Sequence, residues 1–389
     1  MRGHQRAGRR LVGSAITVSA VVVLAMVMSV PALAGQEEGS FVQTNLVSDI
    51  SGQNAAVIDP TLKNPWGLSA SPSSPVWVSD NNAGATTLYL GNGTKVILPF
   101  GGKQTPFVAI QPSAGSPDGT MGSPTGTVFG GTTDFAVSQG GKSGGSFFLF
   151  ATEDGTIQGW NPGVNVASAI IGADNGQGGA ATGAVYKGLA LASVNGKNYL
   201  YASNFRSGQV DVFDSQFKQQ TWAGAFVDHH IPAGYAPFNI QNLNGLLYVT
   251  YAVQNAAKHD DEKGPGRGFV DVFTPGGHLQ KRLIRHGALN SPWGLAIAPA
   301  TWGDLAGDLL VGNFGDGRID AYNAHNGHFR GALADGEGRP ISIEGLWGLR
   351  FGNGGAGASL NALYFAAGIN GEQDGLLGTI TPSPDNHND

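Results

Sequence analysis

The stretch SPWGL, Ser291 to Leu295, has a core that returns twice elsewhere: PWGL at Pro65–Leu68 and LWGL at Leu346–Leu349. A short pattern that recurs along a chain of 389 residues signals a repeated structural unit. Downstream of Ser291, AGDLLVGNFGDGRIDAY (Ala306–Tyr322) matches NYLYASNFRSGQVDVF (Asn198–Phe213). Asn313-Phe314 aligns with Asn204-Phe205, Gly317 with Gly208, Ile319 with Val210 and Asp320 with Asp211. Each half alternates polar and apolar residues, and a Gly-bearing turn joins the halves, which is the pattern of a β-hairpin. Upstream lie SPWGLAIAP and VYKGLALAS, apolar runs of strand length with small residues interspersed. The unit is therefore a strand, a loop, a hairpin and a further strand.

The same unit begins at NPWGLSAS, TTDFAVS, VYKGLALAS, PFNIQNLNG, SPWGLAIAP and LWGLRFGN. Aligned on the Trp position, these fall at 66, 133, 187, 238, 293 and 347, with steps of about 51 to 67 residues. Six four-stranded units at a near-constant pitch predict an all-β, six-bladed β-propeller. A propeller must close to protect its edge strands. The last unit ends at LLGTITP (Leu376–Pro382) with little chain left, while FVQTNLVSD (Phe41–Asp49) precedes the first unit as a strand without a blade. The N-terminal strand is expected to complete blade six. Gly and Ala in the innermost strands let neighbouring backbones converge around the channel. Trp66, Trp293 and Trp347 read either as wedges between blades or as an aromatic rim for a ligand, and recurrence with the repeat favours wedges.

Composition agrees with this. Sixty-two glycines and 20 prolines make the chain turn-dense, and charged residues are only 13%, yet 7 Trp, 19 Phe and 9 Tyr argue for packing over disorder. Residues 1–34 stand apart: Arg2, Arg6, Arg9 and Arg10, an uncharged run from Leu11 to Val30, then PALAG with Ala32 and Ala34 in small-x-small spacing. This predicts a signal peptide cleaved after Ala34, the alternative being an uncleaved anchor. The domain plan is then a leader at 1–34, a propeller at 35–382 and a disordered tail at 383–389. The mature chain would carry 18 Lys+Arg against 28 Asp+Glu, a net charge of −10, which argues against nucleic acid as partner. An exported monomer, extracellular or periplasmic and free of the membrane after cleavage, is expected. Absence of cysteine removes thiol catalysis and zinc–thiolate sites.

Candidate chemistry sits where the inner strands start and where the second strands end. Asp80, Glu153, Asn204, Asn255, Asn313 and Glu344 offer carboxylate and amide oxygens that a ring could turn toward calcium, which takes 6–8 oxygen ligands. The competing reading is that such residues cap turns. Trp66, Lys187, Asn239, Trp293 and Trp347 belong to the rim. In VDHHIPAGYAPFNIQ (Val227–Gln241), His229 or His230 could act as a general base, although adjacent residues of an extended chain point to opposite sides. In QNAAKHDDEKGPGRG (Gln254–Gly268), His259, Asp260, Asp261 and Glu262 could ligate a cation or form a lid over the channel, with His259 a third candidate base, the alternative being a solvated tip. GPGRG lacks the strand-then-helix context of a phosphate loop.

TNLVSDISGQNAAVIDPTLKNPWGLS, IPAGYAPFNIQ, GRGFVDVFTPGG, LLVGNFGDGRIDAY and EGLWGLRFGNG resemble an exported bacterial family of uncharacterised β-propeller proteins, over about Phe41–Pro382. Some members carry a PEP-type C-terminal sorting tail, which this chain's TPSPDNHND departs from. More distantly the blades resemble NHL-repeat propellers. The resemblance implies a fold and no assigned reaction. Likeness to lactonase-type propellers, which hold calcium with Glu, Asn and Asp, implies the alternative of a calcium-assisted hydrolase. The first reading is a binding module that takes a small molecule, polysaccharide or protein on its loop-bearing face, and a matrix component is a third.

Overall fold

The computed structural model describes residues 39–100, 103–176 and 182–384. The expected leader lies outside these residues, as does most of the expected tail. Six antiparallel sheets stand around one axis. Blade 1 is Pro65–Ser69, Val76–Asp80, Ala85–Tyr89 and Val108–Ala109, from the axis outward. Blade 3 (Tyr186–Val194, Lys197–Asn204, Gln209–Phe213, Gln219–Gln220), blade 4 (Tyr235–Leu243, Leu246–Val253, Phe269–Phe273, Leu279–Arg285) and blade 5 (Pro292–Ile297, Leu309–Asn313, Ile319–Tyr322, Phe329–Ala332) repeat the plan.

Blade 6 is closed as the repeat count requires. Its strands Leu346–Phe351, Leu363–Gly368 and Asp374–Pro382 come from the end of the chain, and Phe41–Ser48 adds antiparallel to the last of them, Phe41 opposite Pro382 and Ser48 opposite Leu376. Ser48 Oγ donates to the Gly375 carbonyl at 2.8 Å, and Gly375 N–H donates to Asp49 at 2.7 Å. A two-residue strand, Val57–Ile58, pairs parallel outside this one and covers part of the new edge.

Blade 2 departs from expectation. Its inner strand is Pro124–Phe129, followed by Phe148–Thr152, Thr156–Trp160 and Ile170–Asp174. The run TTDFAVS, read as the start of this blade, instead leads into a separate hairpin, Ala136–Gln139 with Lys142–Gly145. The physical cause is plain: alternation alone marks any half-buried strand, whereas Pro124-Thr125-Gly126 repeats the Pro-x-Gly that opens the inner strands of blades 1 and 5, Pro65-Trp66-Gly67 and Pro292-Trp293-Gly294.

The glycine of that pattern holds the ring shut. A Cβ on Gly67 would lie 2.3 Å from the Thr125 carbonyl oxygen, on Gly126 2.2 Å from Leu189 N, on Gly294 2.6 Å from the Trp347 carbonyl and on Gly348 2.3 Å from the Trp66 carbonyl. Each inner backbone rests on the next. In blade 4 the equivalent is Asn239, which bridges instead, its Nδ2 donating to the Trp293 carbonyl at 2.7 Å. Asn239 is therefore a seam residue and not a rim residue. Buried apolar side chains form one cluster at each of the six seams and a seventh on the axis.

Candidate functional site

Just after each inner strand begins, the pairing slips: between Pro65 and Leu68, Tyr186 and Gly188, Pro237 and Asn239, Pro292 and Gly294, and Leu346 and Leu349. In blade 2 it falls likewise between Pro124 and Thr127, which face Thr152 and Phe150. Such a bulge leaves one residue unpaired and re-aims its side chain. The residues concerned are Trp66, Thr125, Lys187, Phe238, Trp293 and Trp347. Trp66, Phe238, Trp293 and Trp347 pack with Phe205 and Phe314 in the axial cluster. Trp66 stacks on Trp347 at 3.5 Å between ring centroids, Phe314 stacks on the other side at 3.9 Å, and Trp293 meets both tryptophans edge-on. The three tryptophans are thus neither inter-blade wedges nor an open platform. They plug the channel, because the bulge turns them off the seams and onto the axis.

Above the plug lies a cavity of about 390 Å³, lined by Asn64, Trp66, Asn81, Glu153, Lys187, Glu372 and the 254–268 loop, among others. Lys187 is its centre. The side chain is 2% exposed; its ammonium donates to Glu153, reaches Asp260 at 3.4 Å and lies 5.1 Å from the Trp66 ring centroid. Burial works against the ammonium charge, but Glu153, Asp260 and Asp261 outweigh it and hold the pKa above the usual lysine value. The walls are braced by amides. Asn81 Nδ2 donates to Glu153 at 2.9 Å. Asn64 Nδ2 donates to Glu372 at 3.1 Å while its Oδ1 accepts from Trp347 Nε1 at 3.1 Å.

The 254–268 loop reaches over this mouth, and four of its side chains, His259, Asp260, Asp261 and Lys263, line the cavity. His259 Nδ1 stands 2.8 Å from Asp260 Oδ1, and this hydrogen bond, with Lys187 nearby, holds the Asp260 carboxyl well below the usual range. Burial pushes Asp261 and Glu372 up. Lys263 sits over the Phe314 ring, 4.0 Å from its centroid. Glu262 points away, toward Arg267 at 3.5 Å. Asn255 shapes the loop itself, accepting from His259 N–H at 3.1 Å.

Of the six oxygen donors read as a calcium ring, only Glu153 reaches the cavity. Asn204 and Asn313 turn back into their own hairpins and donate to Asp211 and Asp320 at 2.9 and 2.8 Å. Asp80 is buried within blade 1, where desolvation raises its pKa well above the ordinary value. Glu344 is exposed and accepts from Gly371 N–H. The repeat explains this: strand-end oxygens satisfy the turn that follows them before they can serve an axis. His229 and His230 are exposed beside Asp228, which pairs with Arg282 on the outer strand of blade 4, and they do not line the cavity. Glu153, His259 and Asp260 do bring ligand atoms within 4.8 Å of one another. The Lys187 ammonium already bonds two of the three, so a charged lysine stands where a metal ion would have to sit, and these residues do not fit calcium.

Reasoning from the sequence missed Asn64 and Asn81 as braces, Lys263, Phe314 and Glu372. Glu372 gave no signal: it sits in a turn, 369–373, of the same length as the blade 5 turn at 314–318.

No known family model matches the chain. Two uncharacterised proteins of Acanthamoeba polyphaga mimivirus are similar to it: L690, 33% identical over 85% of this chain and 84% of its own length, and R648, 32% identical over 86% and 78%. These relatives are viral, which corrects the expected membership of an exported bacterial family with PEP-tailed members. The shared motifs report blade geometry, which does not distinguish hosts. Among solved structures, virginiamycin B lyase from Staphylococcus aureus has a TM-score of 0.50 at 13% identity, covering 88% of this chain and 99% of that one. A protein of unknown function from Bacteroides thetaiotaomicron scores 0.51 at 10% identity, covering 88% and 76%. A glucose dehydrogenase scores 0.51 at 13% identity, covering 88% and 100%. At such identities the likeness shows the propeller fold alone.

Proposed function

We propose that this chain, which belongs to the family of the mimivirus proteins L690 and R648, is a binding protein whose small polar ligand sits at the axial mouth under the 254–268 loop. One observation carries the reading: a loop absent from the other blades brings Asp260 to Lys187, a lysine that a backbone bulge aims at the axis. A buried lysine–carboxylate cluster contributes little net stability, because desolvation offsets the attraction. Its presence on the axis is better explained by recognition. The calcium-assisted hydrolase reading lacks support from the oxygen ring it needs. Export is part of the proposal, resting on the arginine-led apolar leader and its Ala-x-Ala site.

The test is a thermal-shift screen of small polar compounds on the protein with and without EDTA, followed by Lys187→Met and Asp260→Ala. We expect a compound that raises the melting temperature of the parent and fails to do so in either variant, with EDTA making no difference. A chelator that lowers the melting temperature, or a ligand indifferent to both substitutions, would overturn the reading.

A further inference from the structure

The three axial tryptophans differ in one respect. Trp347 Nε1 donates to Asn64 Oδ1 and Trp293 Nε1 donates to the Lys187 carbonyl at 3.2 Å. Trp66 Nε1 is buried and has no partner, and the Trp66 residue, 2% exposed, lines the cavity. A buried indole N–H without an acceptor costs free energy, so native proteins rarely leave one. In the same cavity Asp261 is a buried carboxyl whose uncharged polar neighbour is the Ser291 hydroxyl, so it keeps lone pairs to spare. Lys187 has three donors and uses two. The cavity therefore holds an unmet indole donor, a spare ammonium donor and a carboxylate with spare acceptor capacity together.

Charge narrows the ligand. Glu153, Asp260, Asp261 and Glu372 share the cavity with Lys187, Lys263 and the His259 imidazole that bonds Asp260, so four carboxyl groups stand against two ammonium groups and one imidazole. An anion meets net repulsion there, and a cation must compete with two resident ones. A hydroxyl group needs neither, since it accepts from an N–H and donates to a carboxylate at once. Resting on the reading of this mouth as a ligand site, we propose that the ligand is a neutral, hydroxyl-rich molecule, a small sugar or polyol, with Trp66 Nε1 donating to one hydroxyl and Asp261 accepting from another. The cavity volume suits one or two sugar rings. The floor rings are nearly covered, so selectivity comes from the polar groups more than from stacking.

The test is calorimetric titration of the full chain with D-glucose, D-xylose, sucrose and glycerol, and with D-glucuronate and D-glucosamine as charged counterparts. A neutral compound should bind, with both charged counterparts weaker. Trp66→Phe, which keeps a ring and removes the N–H, should weaken binding about tenfold. Asp261→Ala, which removes the acceptor and should likewise weaken binding about tenfold, tests the pair if Trp66→Phe fails to fold. Failure of every neutral compound to bind at millimolar concentration overturns the inference, as does glucuronate binding as tightly as glucose. If a charged molecule binds and Lys187→Met abolishes it, the mouth remains a ligand site and only the ligand class is wrong. If a neutral sugar binds equally to the parent, Trp66→Phe and Lys187→Met, both readings fall.

Discussion

Lys187→Met isolates the central interaction of the mouth. The lysine is 2% exposed and Glu153 13%, so their pairing is a buried one, whereas Asp260, 61% exposed, is well screened and contributes little. Methionine matches the length of the lysine stem and keeps the contact over Trp66, so lost packing is small. What remains is the Glu153 carboxylate without its counter-ion. Breaking a buried pair from one side costs about 3–5 kcal/mol. The hydrogen bond from Asn81 persists and softens the loss, which places the expected cost near the low end, about 3 kcal/mol. Glu153→Gln alone should also destabilise. The double substitution should cost about 1 kcal/mol or less, because replacing both charges removes both desolvation penalties. Urea unfolding followed by tryptophan fluorescence reads all three variants, since the plug itself is the reporter. Additive losses in the double variant would mean the two side chains do not interact, and a single-variant cost under about 1 kcal/mol would place the pair in solvent.

Two further outcomes test the frame. Gly348→Ala puts a methyl 2.3 Å from the Trp66 carbonyl, where two inner strands meet, and should cost about 1–3 kcal/mol by calorimetry; Gly336→Ala, with open space around it, should stay within about 0.5 kcal/mol. Asp271 is buried, and desolvation first, then the Asp228 charge, raises its pKa to about 7. Its folded-state value lies above its unfolded one, so its contribution is fully present below about pH 4 and is lost as pH rises toward 7. Asp271→Asn should flatten that decline in urea midpoint between pH 4 and 7.5, and an unchanged slope would refute the assignment.

The ring was legible because blade geometry repeats its demands. Gly67, Gly294 and Gly348 appear wherever two inner backbones nearly touch, and Phe41–Asp49 is a strand whose only use is to finish a blade. Blade 2 was misplaced because Thr125 stands where other blades carry a large axial residue, and the Phe135 region alternates more visibly. The site was harder. Lys187, Glu153, His259, Asp260 and Asp261 could be named, but not their partners. Whether an Asn serves its own turn, as Asn204 and Asn313 do, or braces a neighbour, as Asn64 does, depends on which way a bulge turns the chain. Residue type and spacing do not encode that direction. Nor does a single tryptophan disclose that it packs against two others from distant repeats.

The pairing of Phe41–Ser48 with Asp374–Pro382 also bears on how the molecule comes into being. Phe41–Ser48, the earliest of the described strands, finds its partner only when more than three hundred further residues have been added. At roughly 5–20 residues per second that is a wait of about 20–60 s. Until then this strand, half of whose residues are apolar, is unpaired and the ring of blades is not yet closed. Contacts so distant in sequence make the last step of folding slow. A ribosome that stalls late would therefore release a chain holding five sound blades and an open edge, a species inclined to join its own kind.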